Sequence, residues 1–110
     1  MTYRVKLTRQ AEDDLLRLFD FVIERELNRP GGGDLSLADK AIAAIEDGFD
    51  ILRRTPFTCR KADQNPSQGP FIRELVIPFG GTGYVALFEI ISNDTVAIAA
   101  VRHQREDDYH

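Results

Sequence analysis

The sequence has a single cysteine, Cys59, and two histidines, His103 and His110. One thiol excludes an internal disulfide framework and any metal cluster built from several cysteines. Two histidines exclude a His-rich catalytic zinc site. No apolar run approaches the roughly 20 residues that a membrane-spanning helix needs. Arg4 and Lys6 interrupt the apolar residues of the N-terminus, which is not the core of a signal peptide. An excess of positive charge is also missing. Lys and Arg total 14 against 18 Asp and Glu, a net charge of −4 and a pI of about 5.1. That excludes a chain held on nucleic acid by bulk electrostatics, so no strong direct nucleic-acid binding is expected, although a local basic patch remains open. The expectation is a cytoplasmic protein that needs no membrane, metal or cofactor.

What is present fits one domain over residues 1–110, with 43% hydrophobic and 29% charged residues. Charge is unevenly distributed: the first 52 residues hold 7 basic and 11 acidic side chains, whereas Arg53, Arg54, Arg60 and Lys61 form a basic stretch without an acid. Tyr3, Val5 and Leu7 alternate with Arg4 and Lys6, the period of a half-buried strand. Thr8 is placed to cap a helix. Ala11, Leu15, Leu18, Phe19, Val22 and Ile23 then follow helical spacing to about Leu27, with Asp13, Asp14, Arg17, Asp20 and Glu24 assigned to the polar side. Pro30 and three glycines end that helix. Ser36 with Asp39 reads as a capping box for a second helix, whose apolar face is Ala38, Ala41, Ile42, Ile45, Phe49 and Leu52. Gly48 weakens this helix by about 1 kcal/mol relative to alanine, and close packing would explain its presence.

After a loop from Thr55 to Pro70 the period becomes two. Strands are predicted over Phe71–Ile77, ending at Pro78, over Tyr84–Ile91, apolar on both faces except at Glu89, and over Thr95–Val101. The order is β-α-α-β-β-β, an α+β fold with a helical hairpin on a small antiparallel sheet.

Polar chemistry starts where the last strand is predicted to end. His103 has the pKa range of a general acid or base, Arg102 or Arg105 can grip a phosphate, and Tyr109 can donate a proton or stack on a base. The same residues also read as a solvated tail. Arg73 and Glu74, adjacent in a strand, point to opposite faces. The basic stretch suits either an acidic or phosphorylated partner or the C-terminal dipole of the second helix. Cys59 lies among cations that lower a thiol pKa, or is incidental. Gly80-Gly81-Thr82-Gly83 lacks the lysine of a phosphate loop and reads as a hairpin turn.

Four segments in order carry a resemblance. Thr8-Arg9-Gln10-Ala11-Glu12-Asp13-Asp14-Leu15, Ile51-Leu52-Arg53-Arg54-Thr55-Pro56, Arg73-Glu74-Leu75 with Gly83-Tyr84-Val85-Ala86-Leu87-Phe88-Glu89-Ile90, and Val96 through Arg105 resemble the RelE/ParE toxin superfamily over nearly the full length. The resemblance implies the toxin of a two-gene toxin–antitoxin module, and growth arrest as its effect. Ribonuclease members carry an arginine after the aromatic of the central hairpin. Here Val85 follows Tyr84, and valine cannot bind a phosphate. That departure favours the ParE branch, which implies inhibition of DNA gyrase by binding, a role in plasmid stabilization, and neutralisation by a ParD-like antitoxin. Arg73, Arg102, His103, Arg105 and Tyr109 are the expected target contacts, and Leu16, Arg53 and Arg60 the expected partner contacts. One alternative is a ribosome-dependent mRNA endonuclease using His103, Arg102 and Tyr109. Another is a non-toxic member that serves as an antitoxin-binding regulatory module.

Overall fold

The computed structural model describes residues 2–61 and 71–104. Strand β1 (Arg4–Leu7) leads into helix α1 (Arg9–Leu27), followed by helix α2 (Ser36–Arg54), a single 3-10 turn (Pro56–Thr58) and strands β2 (Arg73–Phe79), β3 (Thr82–Ser92) and β4 (Thr95–His103). The strand order is β1-β4-β3-β2. The last three strands form the expected antiparallel meander, whereas β1 pairs in parallel with β4, Arg4 opposite Thr95 and Leu7 opposite Ile98. The parallel pair is a feature that the sequence reading did not contain. The α1–α2 hairpin carries the chain from β1 at one edge of the sheet to β2 at the other.

Both helices pack on one sheet face. Leu18, Ile45, Phe49 and Leu52 meet Ile77, Tyr84, Ala86, Phe88, Val96, Ile98 and Val101 in the main core. Ile72, Val85, Leu87 and Ala100 make a smaller cluster on the opposite face. The central strand β3 therefore carries apolar residues on both sides, as its unbroken apolar run predicts. Gly48 is explained by packing. A Cβ there would lie 2.8 Å from Ile77 Cδ1 and 3.3 Å from Leu75 Cδ2, so the helix approaches β2 closely at this point.

The β3–β4 register contains a bulge. Leu87 pairs with Ala100 but Phe88 pairs with Ile98, leaving Ala99 as an extra residue on β4. The bulge reverses the side-chain alternation. Val96 and Ile98 face the helices before it, and Val101 faces them after it. It lies just where β1 stops, so the outer edge of β4 beyond Ile98 has no strand beside it among the described residues. Helix α1 provides the missing partners. The Thr8 hydroxyl accepts the Ala11 N–H as the helix cap and donates to the Ala99 carbonyl at 3.1 Å. The Asp14 carboxylate accepts the Val101 N–H at 3.0 Å.

Asp14 is thus 3% exposed and belongs to the buried stripe Ala11, Asp14, Leu18, Val22, Glu26, not to the polar side where helical spacing placed it. Its other oxygen accepts from Gln10 Nε2 at 2.8 Å and pairs with Arg17 at 3.4 Å. Glu26, 1% exposed, closes the stripe. It accepts the Asp34 N–H at 3.1 Å across the linker and pairs with Arg25 at 3.3 Å and Arg29 at 3.0 Å. The glycines of the linker fit that clamp: Gly31 and Gly32 have φ of 79° and 88°, and a Cβ on Gly33 would lie 2.5 Å from the Glu26 carbonyl.

Three further expectations are corrected. Ser36 does not cap α2. It is the first helical residue, and the Asp34 carboxylate accepts both its N–H and its hydroxyl. The acid two residues earlier reaches these donors, so the capping box is displaced. Strand β2 starts at Arg73 and continues through Pro78 to Phe79, with Pro78 paired opposite Gly83. Proline is tolerated because β2 is an edge strand, and the Glu74 N–H, which bonds the Arg60 carbonyl, marks the alternation that turns position 78 outward. Strand β4 runs past Val101 and includes Arg102 and His103, paired opposite Val85 and Tyr84.

Two predictions follow from the buried acids. Asp14→Ala leaves the Val101 N–H without an acceptor and is expected to cost about 1–3 kcal/mol. Asp14→Asn keeps an acceptor and costs less, as read by urea unfolding; equal losses would assign the effect to charge. Glu26 is held below its ordinary carboxylate range, first by the Asp34 N–H and then by Arg25 and Arg29. Asp34 is lowered by the Ser36 hydroxyl and N–H, and Asp94 by the Ser92 and Thr95 hydroxyls. Each folded-state value lies below the unfolded one. Their stabilisation is therefore complete above the unfolded value, 4.5 for Glu26, and is lost as pH falls through the folded values. Thermal melting followed from pH 7 into acid (about pH 3) is expected to show a decline that Glu26→Gln makes shallower, while lowering stability at neutral pH.

Candidate functional site

Among the described residues, those expected to contact a target lie apart. Arg73 pairs opposite Phe88 and His103 opposite Tyr84, which separates them by about 13 Å along β3 at the usual rise per residue. Arg105 and Tyr109 lie outside the described residues.

At the end of β4, His103 is half-buried on the helix side of the sheet. Its ring meets Tyr84 edge-on at 5.6 Å and Phe21 at 6.4 Å, and its Nε2 is 3.3 Å from the Thr82 hydroxyl. Phe79 continues the row at 6.0 Å from Tyr84, and Arg25 lies over Phe21 at 5.9 Å. Burial pushes the Tyr84 phenol up, with the Arg25 cation acting weakly in the other direction, so the phenol stays protonated at neutral pH. Arg102 is directed to the opposite face of the sheet, in register with Val85. His103 and Arg102 are therefore adjacent in sequence and divided by the sheet. Phe21 and Arg25 escaped the sequence reading because they lie off the buried stripe. Their spacing of four residues on one helix was the available signal.

At the start of β2, Arg73 donates to the Cys59 carbonyl at 2.7 Å and lies over the Phe57 ring at 5.7 Å, while Tyr3 meets Phe57 edge-on at 6.0 Å. Arg60 forms an ion pair with Glu74, and Arg53 with Asp50. Arg54 donates to the Asp50 carbonyl at the end of α2 at 3.3 Å, the helix-terminus role that its position suggested. Tyr3 links the end of α2 to the Phe57–Arg73 group, since its N–H donates to the Arg53 carbonyl, and Lys61 pairs opposite Arg73 along the backbone, whereas the Arg60–Glu74 pair lies on the other face of β2. Cys59 is not activated by these cations. Burial raises its pKa, and Arg73 offsets this only in part.

Leu16 occupies a third region. It is 66% exposed on α1, in line with half-buried Ile23 and exposed Leu27. Among the described residues no helix is long and apolar enough to cross a membrane, and no three His, Cys, Asp or Glu side chains are grouped to hold a metal.

The arrangement offers surfaces and an aromatic cluster. Of the residues named for a nuclease, Arg102 and His103 face opposite ways, and Tyr109 lies outside the described residues. Comparison with known proteins agrees with the order of elements. A solved structure described as the chromosomal ParDE toxin–antitoxin system from P. aeruginosa has the same fold, with a TM-score of 0.65 at 18% identity, covering 93% of this chain and 96% of that one. No curated protein sequence matches. The model of the family described as the ParE toxin of the type II toxin–antitoxin system, parDE, matches residues 5–108. The chain therefore belongs to the ParE toxin family of type II toxin–antitoxin systems.

Proposed function

We propose that this toxin acts by binding DNA gyrase and stabilising its covalent complex with cut DNA, and that a ParD-like antitoxin neutralises it. The observation that carries the reading is the division of Arg102 from His103 by the sheet, together with Val85 at the position where nuclease relatives carry arginine. Val85 is buried against Ile72, Leu87 and Ala100. A phosphodiester nuclease needs a proton-transfer group and a charge stabiliser aimed at the same atom. Here the two candidates diverge, whereas the family's gyrase-directed branch requires no catalytic group.

The antitoxin surface is the apolar line on α1. Leu16, Ile23 and Leu27 recur along one side of the helix. A partner segment that covers this line recovers its ordering entropy from the apolar area it buries. Purified toxin is expected to abolish supercoiling and accumulate linear DNA in a gyrase reaction. Unchanged supercoiling with active gyrase and folded toxin, alongside cleaved transcripts in a translating extract, would replace this reading with the endonuclease. Failure of induced expression to arrest growth would point to the regulatory module.

A second expectation concerns the antitoxin. Leu16→Asp with Leu27→Asp places charges on the apolar line without entering the core. Calorimetric titration with the cognate antitoxin is expected to show at least a tenfold loss of affinity, about 1.4 kcal/mol. Unchanged affinity would move the antitoxin to another surface.

A further inference from the structure

The corner where α2 ends and β2 begins is charged unlike the rest of the molecule. Arg53 and Arg54 end α2 and reach Arg73 and Lys61 through Tyr3 and Phe57, while Arg60 lies on the other face of β2; two carboxylates, Asp50 and Glu74, are among them. Those acids pair with Arg53 and Arg60. Arg54, Lys61 and Arg73 have no carboxylate partner among the described residues. In a chain of net charge −4, this corner is a positive region against a negative background.

The same corner exposes aromatic rings. Phe71, two residues before Arg73, is 70% exposed, and Phe57 is 61% exposed. Both are large costs if left in water. Phe57 lies against the half-buried Arg73 guanidinium, and exposed rings of this kind are surfaces on which bases stack. Cations with flat rings interleaved among them match a ligand that alternates phosphates with bases. An acidic peptide would use the cations and leave the rings without a role.

We propose that this corner binds single-stranded nucleic acid. Arg54, Lys61 and Arg73 hold phosphates, and Phe71 and Phe57 receive bases. The identification of that strand as the DNA cut by gyrase rests on the proposed function, whereas the binding does not. The low number of cations makes the interaction weak and salt-sensitive, in keeping with the acidic chain as a whole.

The test is fluorescence anisotropy of the full chain with a labelled oligothymidylate of about 20 nucleotides. Neutralising three phosphates gives a log–log salt slope of about −2, so raising salt from about 50 mM to about 200 mM is expected to weaken binding about twentyfold. Arg54→Glu with Lys61→Glu is expected to lose at least tenfold, whereas the charge-matched pair Arg9→Glu with Lys40→Glu, away from the corner, loses far less. Phe71→Ala is expected to lose about fivefold or more at an unchanged salt slope, and Phe71→Tyr to retain binding. Absence of binding at low salt overturns the proposal, as does equal loss in the control pair. So does capture of a polyglutamate peptide, but not the oligonucleotide, through the same residues. A toxin that binds the oligonucleotide and leaves gyrase untouched keeps this inference and removes the gyrase reading; the converse result does the reverse.

Discussion

The structure depends on how the outer edge of β4 is satisfied. Strand β1 covers this edge only as far as Ile98, and a buried strand edge without partners costs free energy at each unpaired group. Thr8 and Asp14 supply the partners from α1, one by donating to Ala99 and the other by accepting from Val101. These two bonds fix how far along the strand the helix sits. They also set which way it runs, so that Phe21, farther along α1, arrives beside His103 at the strand's end. The Thr8 hydroxyl serves the helix as well, through Ala11. A single residue thus couples the start of α1 to the bulge in β4.

The bulge decides the chemistry available at the end of the sheet. With one extra residue at Ala99, Val101 and His103 come to the helix side and Arg102 to the other. Without it the alternation established by Val96 and Ile98 would direct Arg102 inward. The separation of these two side chains is therefore a property of the register and follows from neither residue by itself. Their arrangement sets the aromatic cluster around His103 apart from the face that carries Arg102.

The elements of the fold were legible because periodicity dominates their signal. Helix α1 needed no tertiary information to place Leu18 and Val22 inward, and the double-sided apolar run of β3 announced a central strand. What periodicity hides is any buried polar group. Asp14 occupies the same stripe as Leu18, yet an acid is read as solvent-facing unless its partner is known. Here that partner is the N–H of Val101, 87 residues away. The parallel pairing of β1 with β4 was hidden for the same reason, since nothing local specifies it. At the candidate sites, residue types were legible and grouping was not. Arg73 and His103 looked like members of one surface until the register placed them four residues apart along β3, on different strands.

Pro78 has a consequence for how the sheet ends. On the outward side of β2, the Glu74 N–H is already bonded to Arg60, and proline at position 78 has no N–H to offer. Of the three outward positions from 74 to 78, only Val76 retains a donor for an incoming chain. A strand arriving at this edge would find one backbone donor where an uninterrupted edge offers three, which makes β2 a poorer template for edge-to-edge growth. A partner that approaches this side finds few backbone donors and must be recognised largely by side chains.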